Sequence, residues 1–210
     1  MNIEPIGIIH SCFKEKFGIP RQPGLVDAAE ATLQLLPPHN RAEPVLGLEG
    51  FSHVWLIFGF HATAEQGWRP TVRPPRLGGN ARVGVFASRS TFRPNPLGLS
   101  VVRLAEIDCS DGVALKLAGV DLLDQTPIFD IKPYLPYADA LPNAEGGFAP
   151  ENPESAVTVS FTSSAERQLA RLAPERPRLR QLICELLAYD PRPAYRSDSE
   201  GVRYFLAQPV

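Results

Sequence analysis

FSHVWLIFGF, Phe51–Phe60, is the most hydrophobic run in this 210-residue chain, and whether it forms strand or helix decides the fold. It is about ten residues long, is bounded by glycine and polar residues, and is rich in aromatic and β-branched types. Length and composition predict a buried central strand. His53 lies inside the run and reads as a hydrogen-bonded core histidine. His61 stands just past its C-terminal end, where strands deliver residues into sites.

Outward from this run, the next segment is WRPTVRPPRLGGNARVGVFASRSTFRPNPLGLSVVRL, Trp68–Leu104. From Gln66 to Ala105 there are seven arginines (69, 73, 76, 82, 89, 93 and 103) and no lysine, aspartate or glutamate. The whole chain is formally −2, so the remaining residues sum to −2 − 7 = −9. Arginine in place of lysine points to planar, bidentate or stacked contacts with phosphate, carboxylate or bases. Trp68, Phe86 and Phe92 interleave with the arginines and allow stacking and cation–π contacts. Ser88, Ser90 and Thr91 suit hydrogen bonds to an anion, and no base accompanies them as in a serine hydrolase. Prolines and glycines crowd the segment, fixing tight turns and permitting close backbone approach.

Short strands surround these two segments. They are expected at Ile3–Ile9, Thr32–Leu36, Arg82–Ala87, Leu99–Ile107 and Val113–Leu117, with Asp111-Gly112 as a hairpin turn. The PRQPG turn at Pro20–Gly24 is rigid and presents backbone amides near Gly24 and Leu25. VDLLDQTPIFDIKPYLPYAD, after Gly119, is proline-punctuated and carries Asp121, Asp124 and Asp130. These carboxylates suit ribose hydroxyls or an ammonium group, and equally suit caps of turns before Pro127 and Pro133. Many short strands separated by turns indicate a mainly β protein, barrel or sandwich. Residues 1–140 read as this β core and 141–155 as a linker. Residues 156–210 read as a small α+β appendage: a strand at Ala156–Phe161, a helix capped by Ser163 and Glu166, a helix on Leu179, Leu182, Ile183, Leu186 and Leu187, and a strand at Val202–Leu206. Pro177 starts the second helix and Asp190-Pro191-Arg192-Pro193 stops it.

Composition excludes several classes. The hydrophobic fraction of 44% and charged fraction of 21% are those of a globular protein. No apolar run approaches a membrane span, and the N-terminus lacks the basic start of a secretory signal. Three widely spaced cysteines fit a reducing compartment, and neither they nor His10, His39, His53 and His61 have metal-ligand spacing. The P-loop, dinucleotide, nucleophile-elbow and zincin motifs are absent. The residues alone thus predict a β protein with an arginine-rich, proline-braced pocket for a phosphorylated or nucleic-acid ligand. They name no reaction.

Arg73–Ser100, with RSTFRPNPLG at its centre, resembles the TsaA/TrmO-like family of β-barrel tRNA methyltransferases. Glu15–Val26, Gly47–His61, Asp121–Asp139 with DIKPY, and Ala188–Tyr195 match the same family, so the resemblance covers essentially the whole chain. It implies transfer of a methyl group from S-adenosylmethionine to N6 of N6-threonylcarbamoyladenosine beside the anticodon, by a cytoplasmic homodimer without a Rossmann-type fold. For the cofactor it implies Pro23, Gly24, Leu25, His61, Ala62, Arg89, Leu99, Gly119, Val120, Asp121 and Leu122, with Asp124 nearby. The remaining arginines, Lys132 and Tyr134 would then face the tRNA, and the candidates for the reaction itself are Asp130, Lys132, Tyr134 and Arg93. Arg93 or Lys132 would take the threonyl carboxylate, and Asp130, Tyr134 or His61 the N6 proton. Members usually continue past the VRYFL position with at least one more strand, which implies a trimmed tail here. The competing class is a non-catalytic module binding RNA or a nucleotide through the same arginines.

Overall fold

The computed structural model describes residues 2–153 and 157–191. Eight strands are formed: β1 (Gly7–Ser11), β2 (Glu30–Leu35), β3 (His53–Gly59), β4 (Thr71–Val72), β5 (Val83–Gly84), β6 (Leu97–Asp108), β7 (Ala114–Ala118) and β8 (Pro127–Pro133). Six of them close into an antiparallel barrel in the order β1-β2-β7-β6-β3-β8, while β4 and β5 make a separate two-stranded ribbon. Three helices follow: α1 (Pro136–Asp139), α2 (Ser163–Leu172) and α3 (Leu179–Ala188). No described helix is long and apolar enough to cross a membrane.

Strand periodicity explains the barrel's core. Successive side chains point to opposite faces, so Ala31, Leu33 and Leu35 of β2, Val54, Leu56 and Phe58 of β3, and Leu115 and Leu117 of β7 all turn inward and are buried. Ile9, Val102 and Ile128 complete the same filled interior. The expected central strand is present, but it is not buried evenly on both faces. Its alternate residues, His53, Trp55 and Ile57, face outward and are half-buried. The run is continuously hydrophobic because its inner residues fill the core while Trp55 and Ile57 line a cleft outside it. His53 is therefore not a core histidine; its Nδ1 lies 2.9 Å from Ser52 Oγ.

Other expectations are corrected locally. Arg82–Ala87 does not form one strand: only Val83 and Gly84 pair, with β4, and Val85–Ala87 turns into a 3-10 helix. The cap of α2 is Thr162, one residue before the expected Ser163, and its side chain accepts from the Ala165 N–H at 3.2 Å. Glu166 instead binds Arg180 of α3, at 2.5 and 2.9 Å. Residues 157–161 form no strand, and the region Pro127–Pro133, whose prolines mask it in the sequence, is β8. The expected strand Val202–Leu206, the stop residues Arg192 and Pro193, and the end of Ala188–Tyr195 lie outside the described residues.

Two strapped loops prepare the site. Gly24 donates its N–H to the Gly119 carbonyl at 2.8 Å. Both glycines have positive φ, +76° and +70°, and a Cβ on Gly119 would sit 3.4 Å from Gly24 Cα. Glycine at both positions suits these left-handed backbone conformations. The 121–126 segment is in turn sewn to β1: Ser11 donates its hydroxyl to the Leu122 carbonyl at 2.8 Å and its N–H to Asp124 Oδ1 at 2.9 Å.

Candidate active site

A cleft of about 900 Å³ opens on the outer wall of the barrel. Its floor is the outward face of β3 and β6, with Trp55, Ile57 and Leu99; Gly98, paired with the inward-facing Phe58, borders it. Its sides come from Ile19–Gln22, from Phe60–Thr63 just past β3, and from Ser88–Arg93. Asp121, Leu123 and Thr126 close one end. Three segments far apart in sequence, the PRQPG turn, the arginine-rich stretch and DLLDQTP, therefore meet in one concavity.

Charge is sorted within it. Asp121 is the acidic residue of the wall. It accepts a hydrogen bond from the buried Ser100 hydroxyl at 2.7 Å. Burial pushes its carboxyl up to about 6, against the lowering effects of Ser100 and the Arg89 charge. Cations stand around it: Lys16, Arg21, Arg89 and Arg93 all line the cleft. Arg89 donates to the Gln22 side chain, which ties the arginine-rich loop to the PRQPG turn. Arg93 donates to the Ser88 carbonyl at 2.8 Å and the Val85 carbonyl at 3.2 Å, so it braces its own loop. Lys16 reaches the Ala62 carbonyl at 2.5 Å.

Sequence profiles decide the kinship. That of the tRNA-methyltransferase O N-terminal domain matches residues 8–140, and that of the TrmO C-terminal domain matches residues 154–208. The chain belongs to the TrmO family. An Escherichia coli K12 relative named tRNA (adenine(37)-N6)-methyltransferase is 58% identical over 198 residues, covering 94% of this chain and 84% of that protein. A Pseudomonas aeruginosa PAO1 relative, 51% identical over 207 residues, covers 97% of this chain and 87% of its own; its name assigns it provisionally to the S-adenosylmethionine-dependent methyltransferases. A crystal structure of TrmO from P. aeruginosa superposes with a TM-score of 0.77 at 45% identity, covering 91% of this chain and 81% of that one.

Among the residues expected from the TrmO resemblance, the cleft brings together His61, Ala62, Arg89, Arg93, Leu99 and Asp121. Pro23, Gly24, Leu25, Gly119, Val120, Leu122 and Asp124 are not in its wall. The Gly24 amide, expected to be presented, is taken by Gly119. Val120 and Leu122 are buried in the core, which leaves only their backbone groups for a ligand. Asp124 is committed to a latch: Lys14 pairs with it at 2.8 Å. Burial pushes the Asp124 carboxyl up, but Lys14, the Ser11 N–H and Gln125 outweigh burial and hold it below the usual range.

Asp130, Lys132 and Tyr134 flank the cleft. Asp130 sits opposite Ile57 and Lys132 opposite Trp55, so both share the outward face of the floor, and they pair with each other at 2.9 Å. Tyr134 packs against Trp55 with ring centroids 6.0 Å apart and against His53 at 6.4 Å.

The seven arginines do not form a single cluster. Arg89 and Arg93 reach the cleft. Arg69 stacks over Phe92 at 4.2 Å, Arg82 donates to Thr71 at 3.1 Å, and Arg76 donates to the Glu151 carbonyl at 2.6 Å. Arg103 lies 3.5 Å from Asp27. The hydroxyl of Ser88 is turned inward to the Val85 carbonyl at 2.9 Å, and the Ser90 hydroxyl accepts the Phe92 N–H at 3.3 Å. These groups shape the loop before they meet any anion.

Sequence reasoning missed Lys16, Gln22, Trp55, Ile57 and Ser100. A strict period-two reading of Phe51–Phe60 separates Trp55 and Ile57 from the core set. Ser100 carries no such signal, because its partner lies 21 residues away.

Proposed function

We propose that the cleft holds S-adenosylmethionine over the β3–β6 floor, and that the protein methylates N6 of N6-threonylcarbamoyladenosine at position 37 of tRNA. The protein is a tRNA adenine-N6 methyltransferase of the TrmO family, and its kinship favours catalysis over a non-catalytic RNA- or nucleotide-binding module. One observation supports the geometry best: a half-buried carboxylate at an apolar floor, with cations at the rim. A donor carrying sulfonium and ammonium charge finds its counter-ion in Asp121 and its apolar contacts in Ile57 and Leu99. An RNA finds Arg21, Lys16, Arg89 and Arg93 around the mouth.

S-adenosylmethionine supplies an electrophilic methyl group when bound. The chain's own contribution is alignment, shielding and proton handling. Ile57, Phe58 and Leu99 exclude water from the floor. The N6 proton of this substrate is acidified by the carbamoyl carbonyl, and cationic side chains stabilise the charge left when it departs. Lys132 takes the threonyl carboxylate; in doing so it releases Asp130, 2.9 Å away in the free protein, to receive a proton. His61, in the cleft wall, and Tyr134, beside it, are the other acceptors. The barrel to about residue 140 carries the reaction, with residues 141–155 as linker and 156–210 as appendage. A cytoplasmic homodimer, carried over from the family resemblance, completes the reading.

Arg89→Ala and Lys132→Ala are each expected to lower kcat/KM for tRNA by about a hundredfold, on the scale of a lost charge-assisted contact, with unchanged circular dichroism. Methyl transfer to tRNA bearing or lacking the threonylcarbamoyl group is the measurement. Wild-type rates in both variants would remove these side chains from the site. Equal use of both tRNAs would refute the modified base as substrate.

A further inference from the structure

Helix α3 is joined to the Asp27–Glu30 segment by a set of polar contacts. Glu185 Oε2 accepts the Ala28 N–H at 2.9 Å, across 157 residues of chain. Its other oxygen is held by Gln181 Nε2 at 2.6 Å, which fixes the carboxylate's direction. At the N-terminal end of the same helix, Arg178 donates to Asp27 Oδ2 at 2.6 Å and to Glu30 Oε1 at 2.8 Å. Leu182, Leu186 and Tyr189, each partly buried, pack against the core and seat the helix.

The segment gripped in this way is the far end of the loop that begins with Ile19–Gln22 in the cleft wall. Between the two ends the loop is fixed at Gly24, which donates to Gly119, and at Ala29, whose carbonyl accepts the Val120 N–H at 3.2 Å. Asp121 follows immediately. The grip at Ala28 thus acts on a loop tied both to the PRQPG turn and to the 119–121 segment. Ala28 is only 3% exposed, so its N–H has no solvent to replace the Glu185 oxygen.

We infer that α3 is a positioning element for the cofactor, with Glu185 as the positioning residue and Arg178 as its support. Resting on the reading that S-adenosylmethionine binds the cleft, the inference assigns to the C-terminal helix an effect on cofactor affinity. Neither side chain lines the cleft. Both act through the loop that does.

Calorimetry with S-adenosylmethionine on the full chain tests it. Absence of binding by the wild-type protein would defeat the cofactor reading itself. Given wild-type binding, Glu185→Ala is expected to raise Kd and KM for the cofactor about tenfold while kcat at saturation changes less than about twofold. Glu185→Gln keeps an acceptor oxygen for Ala28 and is expected to restore Kd. A lowered melting temperature with unchanged Kd in Glu185→Ala would overturn the inference, as would failure of Glu185→Gln to recover affinity. Should Glu185→Ala not fold, Arg178→Met carries the test, since an exposed ion pair is dispensable for folding. A rise in its cofactor Kd of about threefold, on the scale of one ion pair, supports the inference, and a Kd equal to wild type refutes it.

Discussion

Asp121→Asn is expected to make the protein more stable while weakening its binding of S-adenosylmethionine. The native carboxyl titrates near 6 in the folded chain against 3.8 when unfolded. The folded state therefore holds its proton more tightly, and stability falls as pH rises from about 4 to about 6. Above 6 the ionised carboxylate is a standing cost. Each pH unit of the difference is worth about 1.4 kcal/mol, and water at the cleft mouth reduces the total to on the order of 1–2 kcal/mol. Asparagine keeps an oxygen for the Ser100 hydroxyl and never ionises. Its melting temperature at pH 7.5 should rise by a few degrees, and the acid-side gain between pH 6 and 4 should vanish. Cofactor affinity should fall by about tenfold to a hundredfold, the scale of one lost charge pair. In the wild type, affinity should weaken as pH drops through 6, where the counter-ion is protonated. A variant with native affinity and a native pH profile of melting would remove Asp121 from the site.

Gly98→Ala is expected to damage fold and cleft together. A Cβ on Gly98 would lie 2.3 Å from Cε2 and Cζ of Phe58, its cross-strand partner. Phe58 is 6% exposed and packs edge-on against Phe60 at 5.3 Å, so the ring has little space on the core side. It must swing toward the cleft or force β3 and β6 apart. Overpacking of this kind costs about 1–3 kcal/mol, and the displaced ring would occupy cofactor space. Chemical denaturation should show the loss, and calorimetry a parallel fall in affinity. Phe58→Leu in the same chain should recover stability, giving a coupling that independent sites lack. Additive effects in that double mutant would show that the two residues do not compete for one volume.

Much of this organisation is visible in the sequence where one physical rule dominates. Phe51–Phe60 reads as strand from its length and its aromatic and β-branched residues, and His53–Gly59 within it forms β3. Asp111-Gly112 turns β6 into β7, and the leucines of 179–187 lie on one helical face. The rules compete at the other positions. Pro127 and Pro133 bound β8 and disguise it as loop. Ser163 with Glu166 reads as the cap of α2, but Thr162 takes that place by accepting the Ala165 N–H, and Glu166 binds Arg180. Residue chemistry alone makes the arginines legible as a site but not as individuals; the family resemblance singles out Arg89 and Arg93, which the fold brings to the cleft, while Arg103 leans toward Asp27. The Ser100–Asp121 and Ala28–Glu185 contacts are invisible in one dimension, since neither spacing follows from any local period.

The cleft proposed for the chemistry flanks a barrel whose interior is filled by side chains. Selection on what the cleft accepts can thus act on Trp55, Ile57, Leu97 and Leu99 with little effect on folding, because their side chains leave the interior untouched. At Phe58, Gly98 and Ser100 the two demands coincide. Changes of ligand preference should therefore accumulate around those three positions and spare them.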